Sequence, residues 1–285
     1  MELTELVEQI CQEQNISTNR IEVFPSREGA SFKLYTNQST FLLKMANQQS
    51  RANTIQNEST VLQEIKDPSF VTSGTHSNYV WLLRTWLSGV TSSDYTAYVR
   101  QNPSTENQTR FVIDLTKMLD KVITLDKTGY LHGDLQPAHF LFLPNQEVHL
   151  LDLETSYKKG AIHDYKGALV HFVSPEVADA MLQKTNAPLN ELTEVYAFGA
   201  TAFFLYSDVV PIAYSEDHTN TNYKSIPFEE KLKQIVRGKR RSFQSVGVTP
   251  FPQLEQILNR CLILSKNERF ANVSELMLEL KRLVN

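Results

Sequence analysis

Two aspartates set in apolar surroundings are the residues best placed to do chemistry. Asp134 lies in His132-Gly133-Asp134-Leu135-Gln136-Pro137-Ala138-His139-Phe140-Leu141, which follows a helical pattern and leads into an apolar run. Asp152 lies in Leu150-Leu151-Asp152-Leu153-Glu154, at the end of the next apolar run. Two carboxylates so placed can divide the work of a group transfer. One accepts or orients the proton of an attacking hydroxyl. The other holds a divalent cation, which prefers oxygen ligands. A His-x-Asp triplet alone is a weak signal. His-x-Asp-Leu-x-Pro followed by an apolar strand, a turn and an apolar-apolar-Asp strand is a far more specific one.

The two segments together resemble the catalytic loop H-R-D-L-x-x-x-x-N and the D-F-G of the protein kinase-like superfamily. The resemblance implies that Asp134 orients the acceptor hydroxyl and that Asp152 holds the metal against the triphosphate of ATP. Lys44 closes the apolar stretch Phe41-Leu42-Leu43-Lys44, which resembles V-A-I-K, whose lysine pairs the nucleotide phosphates. Taken alone, Lys44 reads as a surface lysine at a strand end; the downstream segments reverse that reading. Glu58 on the following helix is then the partner that orients Lys44, with Glu64 as its rival. Leu62, His132 and Leu153 would form an apolar spine. The adenine would sit between Leu42 and Leu141, and the backbone of Thr85-Trp86-Leu87 would offer hinge hydrogen bonds.

Several positions depart from the pattern. The stretch Ser26 to Tyr35 has one glycine, Gly29, where a glycine-rich loop would approach phosphates, and the hydroxyl of Ser31 could replace part of that contact. Such a sparse loop looks more like that of aminoglycoside and choline kinases. Gln136 stands where protein-serine kinases carry a lysine. His139 stands where the metal-binding asparagine belongs, and imidazole suits Mn²⁺ better than Mg²⁺. Gly133 replaces the arginine that usually receives an activation-loop phosphate. Between Asp152 and Glu176 the hydroxyls are those of Thr155, Ser156, Tyr157, Tyr165 and Ser174, and no phosphorylation switch is expected. Glu154 replaces the glycine of D-F-G, again as in small-molecule kinases.

Further along, Ser174-Pro175-Glu176 resembles A-P-E. Glu194-Val195-Tyr196-Ala197-Phe198-Gly199 resembles D-V-W-S-F-G, and Asn267-Glu268-Arg269-Phe270 resembles the segment whose arginine pairs with the A-P-E glutamate. A buried Glu176–Arg269 pair is therefore expected. His149, His163 and His171 have no metal-ligand spacing and read as structural or exposed.

The elements that must position these residues follow from periodicity. Leu3, Leu6, Val7 and Ile10 stand at helical spacing. Ile21–Phe24, Gly29–Tyr35, Thr40–Met45 and Tyr79–Thr85 read as strands, and residues 50–65 as a helix. From Thr105 the pattern turns helical, with Phe111, Leu115, Met118, Leu119, Val122 and Ile123 on one face. Helices follow from Pro175, Glu191, Glu229, Gln253 and Val273. The expectation is an α+β, bilobal protein kinase-like fold filling residues 1–285 as a single domain. It would have a small antiparallel β N-lobe with one main helix at about 1–87, and a larger helical C-lobe at about 88–285. The ligand pocket would lie between the lobes.

Composition narrows the class of partner. A net charge of −4 argues against a nucleic-acid binder, since phosphate contacts need a basic surface. The cluster Arg237-Gly238-Lys239-Arg240-Arg241 reads as a solvated helix end. Cys11 and Cys261 are too few and too far apart for a disulfide framework, as in a reducing cytoplasm. No signal peptide or bilayer-spanning run is visible, so no membrane partner is expected.

Three functions remain open. The first is an ATP- and Mg²⁺- or Mn²⁺-dependent Ser/Thr kinase of divergent bacterial type acting on a protein or peptide. The second is a small-molecule kinase of the aminoglycoside or choline kinase kind, with a peptide-modifying kinase between these two. The third is a pseudokinase that serves as a binding or scaffold protein.

Overall fold

The computed structural model describes residues 3–26, 29–161, 169–187, 189–215 and 222–284. The chain divides into two compact units, Met1–Ser88 and Gly89–Asn285. The first contains α1 (Leu3–Glu13), β1 (Arg20–Ser26), β2 (Gly29–Tyr35), β3 (Thr40–Ala46), α2 (Gln49–Glu64), β4 (Phe70–His76) and β5 (Tyr79–Thr85). The strands form one antiparallel sheet in the order β1-β2-β3-β5-β4. Because side chains alternate along a strand, each strand sends one set to each face. Phe32, Leu34, Leu43, Met45, Trp81 and Leu83 meet Leu6, Val7, Ile10 and Cys11 of α1. The interposed residues Leu42, Lys44, Leu82 and Arg84 therefore point to the other face. There α2 buries Ile55, Glu58, Val61 and Leu62. The unit thus carries α1, as the helical spacing of Leu3, Leu6, Val7 and Ile10 predicts, beside its main helix α2.

The second unit begins with β6 (Val90–Thr91), α3 (Ser92–Tyr95), α4 (Ala97–Gln101) and the long α5 (Thr105–Lys127). Ser104 caps α5 by accepting from the Asn107 amide. Then come β7 (Tyr130–Leu131), β8 (Phe140–Phe142), β9 (Val148–Leu150) and β10 (Tyr157–Lys158). The remainder is α6 (Pro175–Gln183), α7 (Glu191–Ser207), α8 (Phe228–Arg237), α9 (Pro252–Cys261) and α10 (Val273–Arg282). Helix α7 is apolar nearly all round and buried along most of its length, as a central helix must be. Gly199 lets it lie against α9, for a Cβ there would collide with Cys261. Both cysteines are buried thiols.

The basic cluster is in part the solvated helix end expected from sequence, with Arg237 exposed at the end of α8. Arg241 is buried and donates to the carbonyls of Val210 (2.9 Å) and Ile212, so part of that charge has a structural role. Among the described residues, no helix is long and apolar enough to cross a membrane.

Candidate active site

The two aspartates lie in the second unit, with His139 beside both. The segment Pro137–His139 is a single 3₁₀ turn leading into β8, and β9 runs antiparallel beside it, pairing Phe140 with Leu150. This hairpin brings Asp152 back toward Asp134. The His139 ring joins them. Its Nδ1 lies 2.8 Å from the Asp134 carbonyl and 3.7 Å from Asp134 Oδ2, and its Nε2 lies 3.3 Å from Asp152 Oδ2. A carbonyl only accepts, so Nδ1 carries a hydrogen. Nε2 then faces the Asp152 carboxylate either as an N–H or as a lone pair that shares a cation with it.

Asp152 adopts a left-handed conformation, φ 62° and ψ 64°. Non-glycine residues rarely do so, and such strain gathers at functional positions. The donor set of a carboxylate and an imidazole nitrogen fits a divalent cation, and suits Mn²⁺ better than Mg²⁺.

Asp134 is mostly buried. Its Oδ1 accepts from the Leu169 amide (3.1 Å) and its Oδ2 from Gln136 Nε2 (2.8 Å). Burial raises its pKa, opposed chiefly by the neighbouring His139. A raised pKa makes the carboxylate a stronger base toward a hydroxyl proton. Gln136 therefore touches the aspartate itself.

The backbone around Asp134 is held from α7. The Glu194 carboxylate accepts from the amides of His132 and Gly133, both at 3.0 Å. About two turns further along the helix, the Thr201 hydroxyl donates to the Leu135 carbonyl at 3.1 Å. Burial lifts Glu194 to about 7. His132 is fully buried, and both ring nitrogens are used: Nε2–H donates to the Leu151 carbonyl (2.9 Å) and Nδ1 accepts from the Asp134 amide (3.2 Å). Desolvation holds it neutral, with its pKa pulled down to about 3. Gly133, the residue between them, has φ +79°, and a Cβ there would stand 2.5 Å from the Thr155 carbonyl oxygen. This explains why no arginine occupies the position.

Three hydroxyls of the following segment are already engaged or covered. Those of Thr155 and Ser156 donate to the His132 carbonyl (3.1 and 3.3 Å), and Ser174 is buried. Tyr165 and His163 lie outside the described residues. His171 is buried against the Tyr214 hydroxyl at 2.8 Å. Arg269 grips Glu176 through two nitrogens, at 2.7 and 3.0 Å. Leu141 is buried in β8, and Glu154 is buried in the turn after Asp152.

In the first unit Lys44 Nζ donates to Glu58 Oε2 at 2.7 Å. Glu58 is fully buried, whereas Glu64, a turn and a half further along α2, is exposed. Ser31 stands opposite Lys44 in the β2–β3 register, and Gly29 pairs with Ser26 at the strand ends. Arg27 and Glu28, the rest of that loop, lie outside the described residues. The hinge expectation narrows on its donor side. The amides of Thr85 and Trp86 already donate to Ser69 and Thr40 carbonyls, both at 2.8 Å. Of the three residues, the Leu87 amide has no backbone partner among the described residues. Leu42 is half-buried on the same face as Lys44.

Two contributors carry no sequence signature for these roles: Glu194 stands only within a scaffold motif, and Arg84 belongs to no motif. The signal available for each was a lone charge inside an apolar element, Leu82-Leu83-Arg84 in β5 and Glu194-Val195-Tyr196 in α7. A charge so placed must be paired to be buried.

No protein-family model matches the sequence, and no curated protein does either. Solved structures do match in fold. The Cydia pomonella granulovirus kinase PK-1 superposes with a TM-score of 0.70 over 99% of each chain, at 13% sequence identity. The fold is protein kinase-like, α+β, with a five-stranded antiparallel sheet in its first unit and a mainly helical second unit.

Proposed function

We propose that the chain is an ATP-dependent phosphotransferase that phosphorylates serine or threonine of a protein or peptide. The observation that carries this reading is the Asp134–His139–Asp152 cluster, with Asp152 in a strained left-handed conformation. A bound divalent cation would be held by Asp152 Oδ2 and His139 Nε2 and would neutralise charge on the phosphates. Asp134 orients the acceptor hydroxyl and takes its proton. Gln136 and the Leu169 amide fix the two oxygens of that carboxylate, so it meets the hydroxyl in one orientation. Lys44, oriented by Glu58, holds the phosphates of the nucleotide. The Leu87 amide is the available donor for the base. Little covalent chemistry is asked of the protein; positioning and electrostatics do most of the work.

A protein or peptide acceptor is favoured over a small molecule by α6 and the Glu176–Arg269 clasp beneath it. That platform suits an extended substrate, and no enclosed acidic pocket is needed. Nucleic acid and membrane are not among the proposed partners. The buried, unbridged cysteines agree with a reducing, cytoplasmic setting.

The test is a thermal-shift titration with ATP and either Mg²⁺ or Mn²⁺, on wild type and Asp152→Asn. Ligand binding raises the melting temperature by mass action. A metal-dependent rise, larger with Mn²⁺ and lost in the variant, is expected. No rise with either metal overturns the reading and leaves a kinase-shaped binding protein.

A further inference from the structure

Arg84 is an unusual residue to find inside an apolar strand. It is 3% exposed. Its Nη1 donates to Glu58 Oε1 at 2.7 Å, while Lys44 takes the other oxygen, Oε2, at 2.7 Å. The strand register explains the meeting. Lys44 faces Leu82 and Leu42 faces Arg84, so the two cations occupy diagonal positions on the sheet face that α2 covers. The rest of the guanidinium is also engaged. Nε and Nη2 donate to the Ser69 hydroxyl at 3.2 and 2.9 Å, and that hydroxyl donates to half-buried Asp67 at 2.5 Å.

One buried carboxylate therefore serves two cations, by two separate oxygens. Were Lys44 its sole partner, any move of the ammonium toward a ligand would leave Glu58 as an unpaired buried anion, which is strongly unfavourable. With Arg84 in place the carboxylate stays paired. The three groups also sum to one positive charge, where a simple lysine–glutamate pair sums to none. Asp67 lies further out, beyond Ser69, where solvent weakens its field.

We propose that Arg84 is a positioning residue that fixes Glu58 independently of Lys44, so that Lys44 can share its ammonium with an anionic ligand, the phosphate chain of a nucleotide. The ligand half of this inference rests on the reading of Lys44 given above; the fixing of Glu58 does not.

Two measurements separate these halves. The first is thermal unfolding of Lys44→Met, Arg84→Met and the double variant. Lys44→Met keeps Glu58 paired with Arg84 and should shift the midpoint by only about 3 °C, whereas the double variant orphans Glu58 and should fall by much more than the two single shifts combined. A Lys44→Met variant as unstable as the double variant overturns the fixing role.

The second is calorimetric titration with ATP and with adenosine, in EDTA so that no metal contributes. Arg84→Met should weaken ATP by roughly tenfold, the effect of one lost charge at short range in a partly screened site, and leave adenosine unchanged. Arg84→Lys, which restores the charge but not the grip on Ser69, should recover most of the ATP affinity. Equal ATP affinity in Arg84→Met and wild type overturns charge sharing. Equal losses for ATP and adenosine overturn it too, since a distorted site would do that. If wild type binds neither ligand in EDTA and neither when Mg²⁺ or Mn²⁺ is supplied, the nucleotide reading itself fails, while the melting series still decides whether Arg84 fixes Glu58.

Discussion

Replacing Glu176 by alanine removes one side of the clasp within the second unit. Arg269 is fully buried at its side chain, and Glu176 is 16% exposed. The guanidinium would keep three carbonyl acceptors, those of Ile263 (2.9 Å), Leu192 (3.3 Å) and Leu264 (3.4 Å), and its contact with the Tyr196 ring. Breaking a buried ion pair from one side costs about 3–5 kcal/mol. The remaining carbonyls hold the loss near the lower bound, about 3 kcal/mol. For a unit of this size each kcal/mol moves the midpoint by about 2–4 °C, so a fall of roughly 6–12 °C is expected.

Urea denaturation and thermal melting both read the effect. Glu176→Gln keeps one acceptor and should lose about half as much. Glu176→Ala combined with Arg269→Met should regain stability over Glu176→Ala alone, because the orphaned charge has gone. A Glu176→Ala protein that melts within 1 °C of wild type, on the order of the scatter expected for a surface substitution, would refute the reasoning from burial.

Two further outcomes follow from the loop around Asp134. Gly133→Ala forces a Cβ into a left-handed residue and against the Thr155 carbonyl; a loss of at least about 2 kcal/mol is expected by denaturation, and an unaltered midpoint would contradict the backbone described. The pH profile should reveal two opposed groups. His132 stays neutral when folded, so acidification below its unfolded value near 6.5 destabilises the protein. Glu194 has a raised pKa, so its stabilisation is complete below about 4.5 and is lost as pH rises through 7. The two largely offset each other between pH 5 and 6.5. Glu194→Gln should therefore lose about 2 kcal/mol more than wild type on going from pH 7 to pH 5, read as urea midpoints at both pH values; parallel losses would show that Glu194 is not protonated in the folded state.

The sequence made the fold legible because its elements are strongly patterned. The apolar runs of β3 and β5 mark them as strands, and the helical stripe of α5 names its own face. The aspartates were legible through the order of motifs around them. Strand β4 escapes the pattern, since Val71-Thr72-Ser73-Gly74-Thr75 lacks an apolar alternation and is held by pairing with β5. The links between distant segments were harder to read. Nothing in the spacing of Arg84 and Glu58, or of Glu194 and Gly133, announces a contact, because tertiary pairing of buried charges is set by packing and not by period. The hinge showed the same gap: residue types alone do not tell which backbone amides the sheet has already engaged.

The two cysteines have a practical consequence. Cys11 lies on the core-facing side of α1, and Cys261 is wedged against Gly199 of α7, so each unit contains one thiol sealed from solvent. Burial raises both thiols, Cys11 to about 11, which keeps thiolate scarce in the closed state. Alkylation of either must wait for its own surroundings to open. The chain thus contains an intrinsic clock for each unit, and trapping kinetics followed by peptide mapping would time the two openings separately without a single substitution.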